Sequence, residues 1–128
     1  MSRVPTLRKH AKSIFRAALQ AADPKVAVAR HLRVRGGVLM AGGARYRLAD
    51  FDKIHVIGAG KAAAAMAAKA GPWGRRQGAA LINVKYGHAD PKLRWIEQNE
   101  CGHPVPDASG VRGAEAREAL RLLSALPR

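Results

Sequence analysis

Leu7, Ala11, Ile14, Phe15, Ala18, Leu19 and Ala22 recur at the three- and four-residue spacing of a helix. Arg8, Lys9, Lys12, Arg16 and Gln20 fall on the other face. The pattern predicts an amphipathic helix over residues 6–22 that packs its apolar stripe against a core. The stripe is poor in the large aromatics that mark a membrane-surface helix. Asp23-Pro24 then supplies a cap and a first helical residue, predicting a short second helix that ends near His31. Between Leu32 and Leu48 the pairs Gly36-Gly37 and Gly42-Gly43 separate short β-capable pieces, as in a small hairpin or irregular strands.

The middle of the chain changes period. Lys53–Ile57 is a predicted strand, and the alanine-rich segment from Gly60 to Ala70 a predicted helix, stopped by Gly71-Pro72. A second strand is expected over Ala79–Val84, followed by the loop Lys85–Pro91, and a third over Leu93–Glu97. The loop Cys101–Asp107 leads to a last helix, with Val111, Ala116, Ala119, Leu120, Leu123 and Leu126 as its apolar face. Strands alternating with helices predict an α/β fold: a Rossmann-like layered architecture with a mostly parallel sheet. In such sheets ligands collect beyond the carboxyl ends of the strands. Three loops can meet there: Gly58–Lys61, Lys85–Asp90 and Gly102–Asp107.

The first of these loops carries the chemistry. In Val56-Ile57-Gly58-Ala59-Gly60-Lys61-Ala62 an apolar run ends in two glycines and a lysine before the alanine helix. Glycine permits a tight turn and lets an anion approach the backbone. The helix start offers N–H groups and a positive dipole end, and Lys61 adds a mobile charge. The segment suits a phosphate or carboxylate. It is not a Walker A loop, because Ala62 follows the lysine and His55 stands where the first glycine belongs. It satisfies the relaxed dinucleotide pattern Gly58-x-Gly60-x-x-Ala63. That pattern calls for an acid after the next strand, where Lys85 and Tyr86 stand instead. A purely structural strand-to-helix turn is the remaining reading.

Composition narrows the class. The chain has 128 residues, enough for one domain, and is 48% apolar, as folded proteins are. Its net charge is +14, and 15 of the 23 cations are arginine. They are spread from Arg3 to Arg128 with no dense tract and no aromatic interleaving, so a solvated basic surface is expected rather than a nucleic-acid interface. One cysteine, Cys101, excludes an intrachain disulfide and a thiol metal cluster. The five histidines have no zinc-helix spacing, and no metal ligand is assigned. No apolar stretch reaches the length of a membrane span and no signal peptide is apparent. A cytoplasmic location is expected.

The ordered set of strings is similar to the N-terminal part of the glycerate 2-kinase family, the two-domain kinases that also carry a MOFRL domain. Leu7-Arg8-Lys9-His10-Ala11 through Ala17-Ala18-Leu19-Gln20-Ala21-Ala22-Asp23-Pro24 resembles the family's opening helix. Val56–Ala62 resembles its lysine turn, and Val84-Lys85-Tyr86-Gly87-His88 and Gly102-His103-Pro104-Val105-Pro106-Asp107 two further loops. The resemblance implies phosphorylation of glycerate to 2-phosphoglycerate with ATP and magnesium. It implies Lys61 as the catalytic lysine. Gly58, Ala59, Gly60, Lys85, Gly87, His88, Gly102, His103 and Asp107 become the substrate- and nucleotide-binding positions. Each histidine either fixes its loop or touches substrate, and Asp107 either caps the last helix or faces the ligand.

Family members are several times longer. Residues 1–128 correspond to the first part of the kinase N-terminal domain, before a Ser-Gly-Gly-Gly-Ser loop and the MOFRL domain. The expectation is therefore a fragment whose sheet is incomplete at its C-terminal end. Such a piece would be inactive alone, and would self-associate or bind a complementing C-terminal fragment. The competing readings are an NAD(P)-dependent reductase of the hydroxypyruvate type and a non-enzymatic basic anion-binding module.

Overall fold

The computed structural model describes residues 3–73 and 76–125, with side chains described through residue 119 of the last helix. The chain opens with helix α1 (Val4–Ala21) and helix α2 (Pro24–His31). The break between them is local chemistry: Asp23 accepts hydrogen bonds from the Lys25 and Val26 amides at 2.7 and 3.4 Å, and Pro24 starts the second helix. The expected apolar stripe of α1 is present, but it is not packed. No residue of α1 is buried, and Ile14 and Phe15 are 71% and 64% exposed. Its main packing contact among the described residues is with α2, and the apolar face stays open.

The glycine-punctuated segment is a three-stranded antiparallel meander, β1 (Leu32–Arg35), β2 (Val38–Ala41) and β3 (Ala44–Arg47). Gly36-Gly37 and Gly42-Gly43 form its two turns, all four at positive φ, the backbone that a two-residue hairpin requires. Strand register brings Arg33, Arg35, Arg45 and Arg47 to one face, all exposed. Part of the positive charge is thereby solvated on the meander. Arg47 is paired with Asp50 at 3.0 Å.

The second sheet is parallel and ordered β4 (Ile54–Ala59), β5 (Gln77–Lys85), β6 (Glu97–Cys101). Helix α3 (Ala63–Ala70) connects the first two strands, and α4 (Ala108–Ala125) follows the third. The fold is thus α/β with a parallel sheet, as the alternation of elements implies. The central strand β5 explains the layering. Ile82 and Val84, 2% and 1% exposed, face Ala63, Ala64 and Ala67 of α3 together with Leu93 and Ile96. Leu81 and Asn83 alternate to the other face, where Asn83 meets α4.

Two boundaries differ most from expectation. The helix after the glycine turn begins at Ala63, not Gly60, because Gly60 sits at φ +108° and cannot continue a helix. The third strand is Glu97–Cys101, not Leu93–Glu97. Leu93 and Ile96 are buried anchors of the preceding turn. The strand itself is polar because its side chains tie down loops. Gln98 binds the Asp90 backbone at 2.8 Å in both directions, and Glu100 accepts from the Gly87 amide at 2.6 Å. Cys101, expected in the loop, ends this strand, with its buried thiol 3.6 Å from the Val84 carbonyl.

The inner face of α4 also departs from its predicted stripe. Val111, Ala116 and Ala119 are exposed, while Leu120, Leu123 and Leu126 lie outside the residues whose side chains are described. The helix docks instead through Ser109, Gly110, Gly113 and Arg117. Asn83 Nδ2 donates to the Gly110 carbonyl at 3.0 Å, and Asn99 Nδ2 donates to Asn83 Oδ1 and the Ser109 carbonyl at 2.8 and 2.9 Å. Ser109 Oγ closes the network on the Glu100 carbonyl at 2.8 Å. Gly113 is buried, and a Cβ there would overlap Asn83 Oδ1 and Asn99 Nδ2. Gly113→Ala should therefore destabilise the chain by about 2 kcal/mol, the usual penalty of overfilling a packed interior. Urea denaturation measures it, and an unchanged midpoint would contradict so close a helix–sheet approach.

Candidate functional site

The carboxyl ends of β4, β5 and β6 open into a cleft of about 270 Å³. Ala59 and Gly60 line it from β4, Asn83, Val84 and Lys85 from β5, and Cys101 to His103 with Pro104 and Pro106 from β6 and its loop. Gly110, in the first turn of α4, completes the wall. This is the place where the strand order predicts a ligand.

The glycine turn is built as its sequence suggests. The Gly60 amide donates to the Asn83 carbonyl at 3.0 Å, which continues the β4–β5 ladder one residue past the strand. Gly60 then turns at positive φ, with open space where a side chain would be. Ala63 N closes back on the Gly60 carbonyl at 3.0 Å. Gly58 lies tight against Ile82, where a Cβ would come within 3.2 Å of Cγ2. At the start of α3 the N-cap is Ala62, which offers no side-chain acceptor to the first-turn N–H groups. Apart from the Ala63 amide, which the Gly60 carbonyl accepts, the first-turn donors have no capping side chain and can meet an external acceptor. Lys61 stands exposed in the turn beside them.

Of the other predicted positions, Lys85, Gly102 and His103 join Ala59 and Gly60 on the cleft wall. Gly58 lies behind the turn, lining an apolar groove between α2, α3 and β4. Gly87 and His88 lie in the turn after β5, outside the cleft wall. Gly87 is at φ +72°, His88 N donates to the Lys85 carbonyl at 2.9 Å, and the His88 side chain is exposed.

Asp107 is the cap of α4. Its Oδ1 accepts from the Gly110 amide at 2.9 Å, and its carbonyl accepts from Val111 N at 3.1 Å. Its Oδ2 accepts from the Tyr86 hydroxyl at 2.7 Å. The Gly110 amide, then the Tyr86 hydroxyl and the Gly102 backbone, hold the Asp107 carboxyl below the usual aspartate range. The same hydrogen bond from the other side raises the Tyr86 phenol above its ordinary value. Gly102 is required here, since a Cβ would press on the Val105 carbonyl and the Asp107 carboxyl.

Sequence reasoning missed Asn83, Asn99, Tyr86, Glu100 and Arg117. The signal for Asn83 was available: an asparagine inside a predicted strand needs a partner. Arg117 carried no such signal. Its Nη1 donates to the Gly58 carbonyl at 2.6 Å across 59 residues of chain. Asp107 and Glu100 are engaged by backbone amides, and among the described residues those that line the cleft are basic or neutral. Among the described residues no cluster of three or more His, Cys, Asp and Glu is placed to hold a metal ion. None of the described helices is long and apolar enough to cross a membrane.

Parallel strands covered by helices, with a glycine–lysine turn at the end of the first, define an α/β domain. A family model described as a domain of unknown function (DUF4147) matches residues 10–127. The chain belongs to this family, which is the N-terminal domain of glycerate kinases. It is 35% identical over 108 residues to the glycerate 2-kinase of Pyrococcus horikoshii, covering 84% of this chain and 23% of that protein. It is 39% identical over 111 residues to a protein of Agrobacterium vitis named "Putative hydroxypyruvate reductase", covering 84% of this chain and 22% of that one. The crystal structure of glycerate kinase from Thermotoga maritima superposes with a TM-score of 0.60 at 26% identity, over 95% of this chain and 26% of that chain. The chain thus spans about a quarter of the length of these relatives.

The Asp107 hydrogen bonds make a pH prediction. Its folded pKa is depressed, so its stabilisation is complete above the ordinary carboxylate range and is lost as pH falls through the folded value. Asp107→Asn should lower the melting temperature near neutrality and flatten its fall in acid. A variant with the acid limb of the native chain would remove Asp107 from this role.

Proposed function

We propose that the chain supplies the anion-binding half of a glycerate 2-kinase site. In this reading Lys61 neutralises charge on glycerate or on a phosphate, and Gly58–Gly60 give the ligand access to backbone donors. Lys85 and His103 line the adjoining cleft with Ala59 and Gly60. The observation that carries the reading is the join of strand β4 to helix α3 by an uncapped, glycine-opened turn with Lys61 exposed beside it. Phosphoryl transfer depends chiefly on positioning and charge stabilisation, and both are what this turn provides. ATP, the phosphoryl donor of the reaction, fits the turn through its phosphates. For magnesium, no cluster of three or more His, Cys, Asp and Glu is placed to hold the ion among the described residues. We place residues 1–128 in the kinase N-terminal domain.

A nicotinamide-dependent reductase is the second reading, favoured by the Agrobacterium vitis relative's name and by the Gly58-x-Gly60 spacing. The end of β5 weighs against it. Lys85 is the last residue of that strand and Tyr86 follows, where a dinucleotide fold places the acid that holds the ribose.

Calorimetric titration of the chain with D-glycerate and with ATP tests the proposal. Saturable binding of at least one is expected, weakened about tenfold or more in Lys61→Ala, as for loss of a charged hydrogen-bond partner. ADP release dependent on both ligands would extend the result to catalysis. Absence of binding, or equal binding by the variant, would reject the site. Quenching of NADH fluorescence, with hydroxypyruvate-dependent oxidation, would select the reductase.

A further inference from the structure

Arg117 is half-buried on α4, and its only described hydrogen bond runs from Nη1 to the Gly58 carbonyl at 2.6 Å. Among the described residues no carboxylate lies within salt-bridge distance of it. A carbonyl satisfies one of its donors and none of its charge. That charge lies directly behind the backbone of Gly58-Ala59-Gly60-Lys61.

The reach of Arg117 follows from the packing of its helix. Gly113 and Arg117 are four residues apart and share a face. Gly113 lets α4 settle onto Asn83 and Asn99 without an intervening side chain. One turn further on, the arginine extends past β5 to the first strand. The helix is fixed at its other end by Asp107, which holds the Gly110 amide and the Tyr86 hydroxyl. A single helix therefore touches the ends of all three parallel strands: Tyr86 after β5, the Asn99–Ser109 network on β6, and Gly58 in β4.

We propose that Arg117 is a positioning residue for the anion turn. It grips the Gly58 carbonyl so that the backbone donors of Lys61 and Ala62 and the Lys61 side chain face the ligand. It also adds a second positive charge behind the bound anion. The proposal rests on the reading of Gly58–Lys61 as the ligand turn. It assigns to α4 the alignment of the three loops, so a ligand at the turn and the docking of α4 support one another.

The test uses the whole chain and two variants, Arg117→Gln and Arg117→Lys, with ATP as the probe. Arg117→Gln should bind ATP about tenfold or more weakly, the scale of a charge-assisted hydrogen bond, with a melting temperature close to that of the native chain. Arg117→Lys keeps a charge that can reach the carbonyl and should restore most of the affinity. Without ligand, the ¹⁵N–¹H resonances of Gly58, Ala59, Gly60 and Lys61 should shift in Arg117→Gln, while those at the opposite end of β5 stay in place. Native affinity in Arg117→Gln would overturn the proposal. So would equal loss in both variants accompanied by a lowered melt, which marks a merely structural arginine. If the native chain binds neither ATP nor glycerate, the kinase reading fails. The ligand-free resonances then still decide whether Arg117 sets the turn, and unshifted amides at Gly58–Lys61 would end the proposal.

Discussion

The approach of α4 to the parallel sheet is the constraint on which the site depends. A helix is normally held off a sheet by its own side chains, and the space is filled with apolar atoms. Here Gly113 removes the spacer, and the layer beneath it is polar. Asn83 and Asn99 bind each other and the carbonyls of Gly110 and Ser109. Buried polar groups are tolerated only when they are satisfied, and these four residues satisfy one another. Because the contacts are directional hydrogen bonds, they fix the rotation of α4 as well as its distance. That rotation points Arg117 at Gly58 and sets the Asp107 cap beneath Tyr86.

The electrostatic consequence is a cleft with its carboxylates occupied. Asp107 is held by the Gly110 amide and the Tyr86 hydroxyl and Glu100 by the Gly87 amide, and neither carboxylate lines the cleft. Lys85 and His103 line the wall, Lys61 is exposed in the adjoining turn, and Arg117 holds the Gly58 carbonyl. The four meander arginines account for part of the net charge without taking part in this arrangement. A large net charge attracts anions of every kind. The strand ends, not the charge, select the place where one can be held.

How much of this was legible varied with the range of the interaction. The second helix was readable because its cap and proline are adjacent in sequence, and the meander because its turns are paired glycines. The strand–turn–helix at Gly58–Lys61 was readable for the same reason. Strand β6 was misplaced by four residues because its inward position is Asn99 rather than an apolar residue, and the apolar signal belonged to the turn anchors Leu93 and Ile96. The helix α1 was legible as a helix, but periodicity reports only that an apolar face exists. Ile14 and Phe15 show that it does not report what covers it. The Gly113 contact and the Arg117 bond were illegible, since a glycine and an arginine inside a helical pattern carry no mark of a partner on another element.

The claim that the glycine–lysine turn is the ligand site is tested most directly by mapping amide resonances of the chain during titration with ATP. The account predicts that the perturbed amides are those of Gly58 to Ala62, with smaller shifts at Lys85, Gly102 and His103, all reaching saturation together. Perturbations confined to the arginine face of the meander, or growing without saturation across the basic surface, would contradict it.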